Sequence, residues 1–133
     1  MVHIQTTLVI LSFYKKNVKL RQKLSKHNNE NSSIIFVEPI GDDYLHLEAA
    51  ITGPISTPYE NEIFCINIKL SEEYPFSPPQ SIIFKHDVVH PNINEINEFM
   101  SELLTLEFWL PTMGIRNILE HVWTRLAIFD IGS

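Results

Sequence analysis

The strongest constraint on the fold is a succession of period-two segments in the middle of the chain. Leu45, Leu47, Ala49 and Ile51 alternate with His46, Glu48 and Ala50, and Phe64, Ile66, Ile68 and Leu70 alternate with Cys65, Asn67 and Lys69. Successive strand side chains point to opposite faces, so each segment presents one apolar face that must be covered. Ile34 to Val37, a β-branched and aromatic run, precedes them and is closed by Pro39 and Gly41-Asp42-Asp43. Gly53-Pro54 ends the second segment, and Ser81 to Lys85 reads as a short fourth strand. Such short connections favour an antiparallel meander with helices covering one face.

Helical spacing appears at both ends. Ile115, Ile118, Leu119, Val122, Trp123 and Leu126 recur within Thr112 to Ile128, and Thr112 is the expected N-cap. Phe13, Val18, Leu20 and Leu24 offer apolar positions among lysines near the start, predicting an N-terminal helix that ends in the polar loop His27 to Ser33. Tyr74 to Pro79 holds three prolines in six residues and excludes a regular element. Val88 to Pro111 is irregular, with a turn of helix expected in Phe99 to Leu106. The reading is one α+β domain over residues 1–133: a helix, a four-stranded antiparallel meander, a long irregular segment and a helix. At 133 residues the chain is long enough to bury a full core.

Charge is partitioned sharply. Residues 1–29 carry Lys15, Lys16, Lys19, Arg21, Lys23 and Lys26 and no acid; the remainder sets four basic against sixteen acidic residues, leaving −12. An acidic body is the wrong surface for phosphate backbones, so no nucleic acid partner is expected. The longest apolar run near the start, Leu8 to Leu11, falls far short of a membrane span and lacks the flanks of a signal peptide, so no membrane partner is expected either. The single cysteine, Cys65, excludes an internal disulfide and a cysteine zinc cluster. No metal or organic cofactor is implied, and the expected setting is reducing, cytoplasmic or nuclear.

Five motifs then occur in order: GDD at Gly41 to Asp43, Thr52 to Glu60 with its TGP and TPYE segments, YPFSPP at Tyr74 to Pro79, HPNIN at His90 to Asn94, and Trp109-Leu110-Pro111. Over about residues 13–128 the chain resembles the ubiquitin-conjugating enzymes. The resemblance implies their fold: an N-terminal helix, a four-stranded antiparallel meander and a crossover helix. The two C-terminal helices of the family are expected to be absent, since the chain stops at Ser133.

In that family a cysteine ten residues beyond the His of His-Pro-Asn accepts the ubiquitin carboxyl terminus as a thioester, because thiolate is both a capable nucleophile and a good leaving group. Met100 stands at that spacing from His90. The distance from His90 to Trp109 is one residue longer than usual, so a shifted alignment brings Ser101 there instead. A thioether has no ionisable proton, and a serine hydroxyl needs a neighbouring base; His86, His90 and His121 are only distant options. Cys65 alternates out of phase with the apolar strand face and reads as structural. His90, Pro91 and Asn92 can form an oxyanion-type motif, but without a nucleophile they are expected to shape a turn, His90 through its ring nitrogens and Asn92 through nearby backbone.

By resemblance, the basic helix with Lys15, Lys16 and Lys19 docks the activating enzyme and contributes to ligase binding. Phe76, Pro78, Trp109, Leu110 and Pro111 form the shallow apolar patch where ligases dock. Phe36 stands near a place where active members often carry a small residue, which alters the non-covalent ubiquitin contact of the opposite sheet face. The expected function is a non-catalytic conjugating-enzyme-like cofactor or scaffold. Its expected partners are ubiquitin or a ubiquitin-like protein and an active conjugating enzyme, activating enzyme or ligase. Two alternatives stand beside it: an active enzyme with an atypical or engineered site at Met100 or Ser101, and an interaction domain of the related RWD type.

Overall fold

The computed structural model describes residues 33–128. The expected N-terminal helix, with Lys15, Lys16 and Lys19, lies outside the described residues. Four strands, β1 (Ile34–Ile40), β2 (Asp43–Thr52), β3 (Ile63–Lys69) and β4 (Ser81–Phe84), form one sheet in the order β1-β2-β3-β4. Every neighbouring pair is antiparallel, so the meander is as expected.

The apolar faces of β2 and β3 lie in register, with Leu47 opposite Ile68, Ala49 opposite Ile66 and Ile51 opposite Phe64. β4 adds Ile82 and Phe84 to this face. Helix α1 (Ile115–Ala127) covers it with Ile118, Leu119, Val122 and Leu126, all fully buried. Taking a side chain of that size out of water is worth roughly 2 kcal/mol. Phe64 packs edge-to-face on Phe84, with centroids 5.6 Å apart, and so ties β3 to the edge strand β4.

Three boundaries differ from expectation. β1 does not stop before Pro39 but runs through it to Ile40, with Pro39 opposite Leu47. A strand at the end of the sheet order tolerates a proline because half of its amides are not needed by its one neighbour, and the register breaks at Pro39/Ile40. Thr112 is not the N-cap: Met113 N–H donates to Leu110 O at 3.0 Å, which folds 110–113 into a turn of its own. The helix starts two residues later behind Gly114, whose N–H donates to Asn117 Oδ1 at 3.0 Å. The turn expected in Phe99 to Leu106 is a single 3₁₀ turn, Glu102–Leu104, capped by Ser101.

The second sheet face is not simply solvated. Ala50 and Cys65 are buried there beneath Ile35, Phe36 and Ile63. Cys65 does point away from the main core, and burial raises its thiol to a pKa of about 11.

Gly53 closes the 53–62 loop, its N–H donating to Glu62 O at 2.8 Å. A Cβ at Gly53 would lie 1.7 Å from Tyr59 O, whereas one at Gly41 (φ +60°) would meet nothing within 4 Å. Gly53→Ala is therefore expected to destabilise the fold by about 3 kcal/mol or more in urea unfolding, and Gly41→Ala by only about 1 kcal/mol from the left-handed backbone.

Candidate functional site

The segment between β4 and α1 carries His90, Asn92 and Ser101, and His121 follows on α1. The segment is anchored at the sheet: Phe84 N–H donates to Asn97 O and Phe99 N–H to Ile82 O, both at 2.8 Å. The tip between them is an asparagine-built turn, in which Asn94 Oδ1 accepts from Ile96 N–H and Glu98 N–H, both at 3.0 Å, and Asn97 takes φ +64°. Asparagine suits such sites because its short amide replaces a backbone partner and tolerates the left-handed region.

His90 is buried, and both ring nitrogens are in use. Nδ1 accepts from Asn92 N–H at 2.9 Å, which leaves the hydrogen on Nε2 to donate to Ile128 O at 2.8 Å just past α1. Burial lowers its pKa, so the ring is held neutral in this tautomer. Asn92 grips Met100 twice: its C=O accepts Met100 N–H at 2.7 Å and its side-chain amide donates to Met100 O at 2.9 Å. His90 and Asn92 thus shape the loop, as the turn reading expected. Pro91 is exposed between them.

Met100 is 56% exposed, and its sulfur accepts a weak bond from Asn94 Nδ2 at 3.5 Å. Ser101 turns the other way. Its Oγ accepts from Leu103 N–H at 3.4 Å and lies 2.7 Å from His121 Nε2 on α1. The hydroxyl hydrogen points to Nε2 when the imidazole carries its own on Nδ1. Burial, reinforced by the Arg125 guanidinium, lowers the pKa of His121 and favours the neutral ring. A base within hydrogen-bond reach of Ser101 therefore exists, at a sequence separation of twenty residues. No local motif could show it; the only signal was that His121 lies on the helix predicted to cover the sheet.

On the opposite side of this segment Trp109 is buried, with Nε1 donating to Pro75 O at 2.7 Å and its ring tilted against Tyr74. That bond brings 74–79 beside 106–111 and leaves Phe76, Leu110 and Pro111 exposed around it. Pro78 is half-buried at the edge. Of the five residues expected in an apolar patch, Phe76, Leu110 and Pro111 are exposed on the two segments that this bond joins, Pro78 is half-buried and Trp109 is buried beneath them.

A family model described as "Ubiquitin-conjugating enzyme" matches residues 15–128. The chain belongs to the ubiquitin-conjugating enzyme family. The solved structure of human ubiquitin-conjugating enzyme E2 G1 is similar to it, at 29% identity and a TM-score of 0.66, covering 81% of this chain and 91% of that one.

Hydrogen bonding places one of the two residues, Met100 or Ser101, beside the turn. The two bonds from Asn92 hold Met100, not Ser101, beside the His-Pro-Asn turn. Before Trp109 the chain turns again, with Thr105 O accepting from Phe108 and Trp109 N–H at 3.2 and 2.9 Å. Cys65 is on the far face of the sheet and belongs to no polar cluster at Met100. Among the described residues no group of three or more His, Cys, Asp or Glu is arranged to hold a metal ion.

His86 is the site's hidden titrating group. It is buried, stacked on Phe64 at 5.6 Å, and its Nε2 has no hydrogen-bond partner. Burial, opposed by Asp87, lowers its pKa from 6.5 to about 4. Above pH 6.5 the ring is neutral in both states; between 6.5 and 4 the unfolded chain gains a proton that the folded chain refuses, so stability falls. Thermal melts of the wild type should lose roughly 3 kcal/mol across that window from this group alone, and His86→Phe should flatten that part of the profile. Asn92→Ala should cost about 1–2 kcal/mol at any pH, read by urea unfolding, because Met100 O loses its donor.

Proposed function

We propose that this chain is a non-catalytic member of the ubiquitin-conjugating enzyme family, a binding cofactor or scaffold in the conjugation of ubiquitin or a ubiquitin-like protein. The observation that carries the reading is that Asn92 holds Met100 beside the His-Pro-Asn turn; on this reading Met100 stands where the family's mechanism needs a thiolate. A thioether cannot accept an acyl group and release it again. The rest of the frame supports a binding role: the loops are closed by hydrogen bonds and the aromatic–proline surface around Phe76 and Leu110 is exposed. Its partners on this reading are the modifier and an active conjugating enzyme, activating enzyme or ligase.

One observation favours a second reading. Ser101 has the base that a hydroxyl acceptor needs, His121 at 2.7 Å. On that reading Ser101 Oγ attacks a thioester carbonyl, His121 Nε2 takes its proton, and the donor thiolate leaves, giving an oxyester.

Two experiments separate these readings. With activating enzyme, ATP and ubiquitin on a non-reducing gel, M100C is expected to gain a thiol-sensitive adduct. S101C should not, since its sulfur would face His121 rather than the Asn92 turn; adduct on S101C alone would place the acceptor position at 101. In NMR titrations the labelled chain should show a mapped binding face for ubiquitin or an active conjugating enzyme, and no shift with any of these partners would count against the scaffold role.

A further inference from the structure

The exposed apolar surface around the Trp109–Pro75 bond is unusual in what surrounds it. Phe76 and Leu106 are each 78% exposed, and Phe108 and Leu110 are about half exposed. Phe76 stands directly after Pro75, which accepts the Trp109 bond, and Phe108 and Leu110 flank Trp109 itself, so these side chains share one surface. Leu106 and Phe108 sit in the turn closed by Thr105 O and add apolar side chains to Phe76 and Leu110.

The rim is acidic. Glu72 and Glu73 precede the Tyr74–Pro79 loop, Glu107 lies between Leu106 and Phe108, and all three are exposed. Glu73 O also accepts from Phe76 N–H at 2.7 Å, which sets that glutamate one turn from the aromatic ring. From residue 70 to 113 the chain has seven acidic residues and one basic residue, Lys85. Lys85 is held by Glu48 at 3.4 Å on the second face of the sheet. Arg116, the next cation along the chain, is bonded to Glu120 at 3.0 Å. No unengaged cation therefore lies in that stretch to balance the three glutamates.

We infer that this surface selects a protein partner whose apolar contact residues are rimmed by lysine or arginine. Charge across such a rim contributes to partner choice and on-rate more than to raw affinity, and like charges brought together repel the wrong partner. The inference rests on the reading that the 74–77 and 106–111 surface docks a partner, and names the chemistry that the partner must carry.

The test uses the full chain, isotope-labelled, and two helical peptides with the same leucine and isoleucine stripe. One is flanked by lysine and arginine, its twin by glutamate. The basic peptide should bind at least tenfold more tightly, shift resonances of residues 72–77 and 106–111, and weaken as salt is raised toward the molar range. The variant E72K/E73K/E107K should exchange the preference. Equal binding of both peptides at these residues would overturn the charge selection while leaving a docking surface in place. Binding of neither peptide would overturn the inference as a whole. So would binding that appears only after reversing Lys15, Lys16 and Lys19 to glutamate, because the chain's own basic segment would then be the occupant. None of these outcomes depends on whether ubiquitin charges Met100 or Ser101, which is decided separately by the adduct assays.

Discussion

The apolar face shared by β2 and β3 has to be covered, and most of the described structure follows from how α1 does so. Ile66 and Ile68 cannot be exposed at the centre of the sheet, so the chain must carry a helix across it after β4. The connection that makes this crossing possible is some thirty residues long and has no regular element beyond one 3₁₀ turn. Its backbone polar groups are satisfied instead by a series of local turns, by two bonds back to the sheet and by the side chains of His90, Asn92 and Asn94. The candidate site is the surface of that connection.

On the proposed reading, the connection keeps the shape of a catalytic loop without the family's usual chemistry. His90 and Asn92 each have a complete structural occupation, closing the turn and fixing Met100. Nothing in those bonds requires sulfur at position 100. The shape of the loop therefore does not depend on a nucleophile at position 100, and the exposed apolar surface on the other side of Trp109 rests on a separate bond. The one reactive arrangement that the fold does create, Ser101 with His121, comes from α1 packing beside the 3₁₀ turn.

Much of this was legible in the residues. Strand faces follow from alternation, because a one-sided core imposes period two, and the family resemblance follows from motifs that are themselves loop-closing devices. What was not legible depended on contacts between distant positions. Pro39 stays in β1 because of its place in the sheet order, Thr112 loses the cap to a turn made by Leu110 and Met113, and Cys65 is buried because Phe36 and Ile63 cover it. The Ser101–His121 pair belongs to the same class. Whether Met100 or Ser101 lay beside the turn was undecidable from spacing, and two hydrogen bonds from Asn92 decide it.

The central claim, that this family member holds its acceptor position without being able to use it, is tested most directly by intact mass spectrometry. The wild-type chain is incubated with activating enzyme, ATP and ubiquitin, and its mass is read before and after treatment with thiol and with mild base. The account predicts an unchanged mass throughout. A gain of one ubiquitin that survives thiol, is released by base and disappears in Ser101→Ala would contradict it.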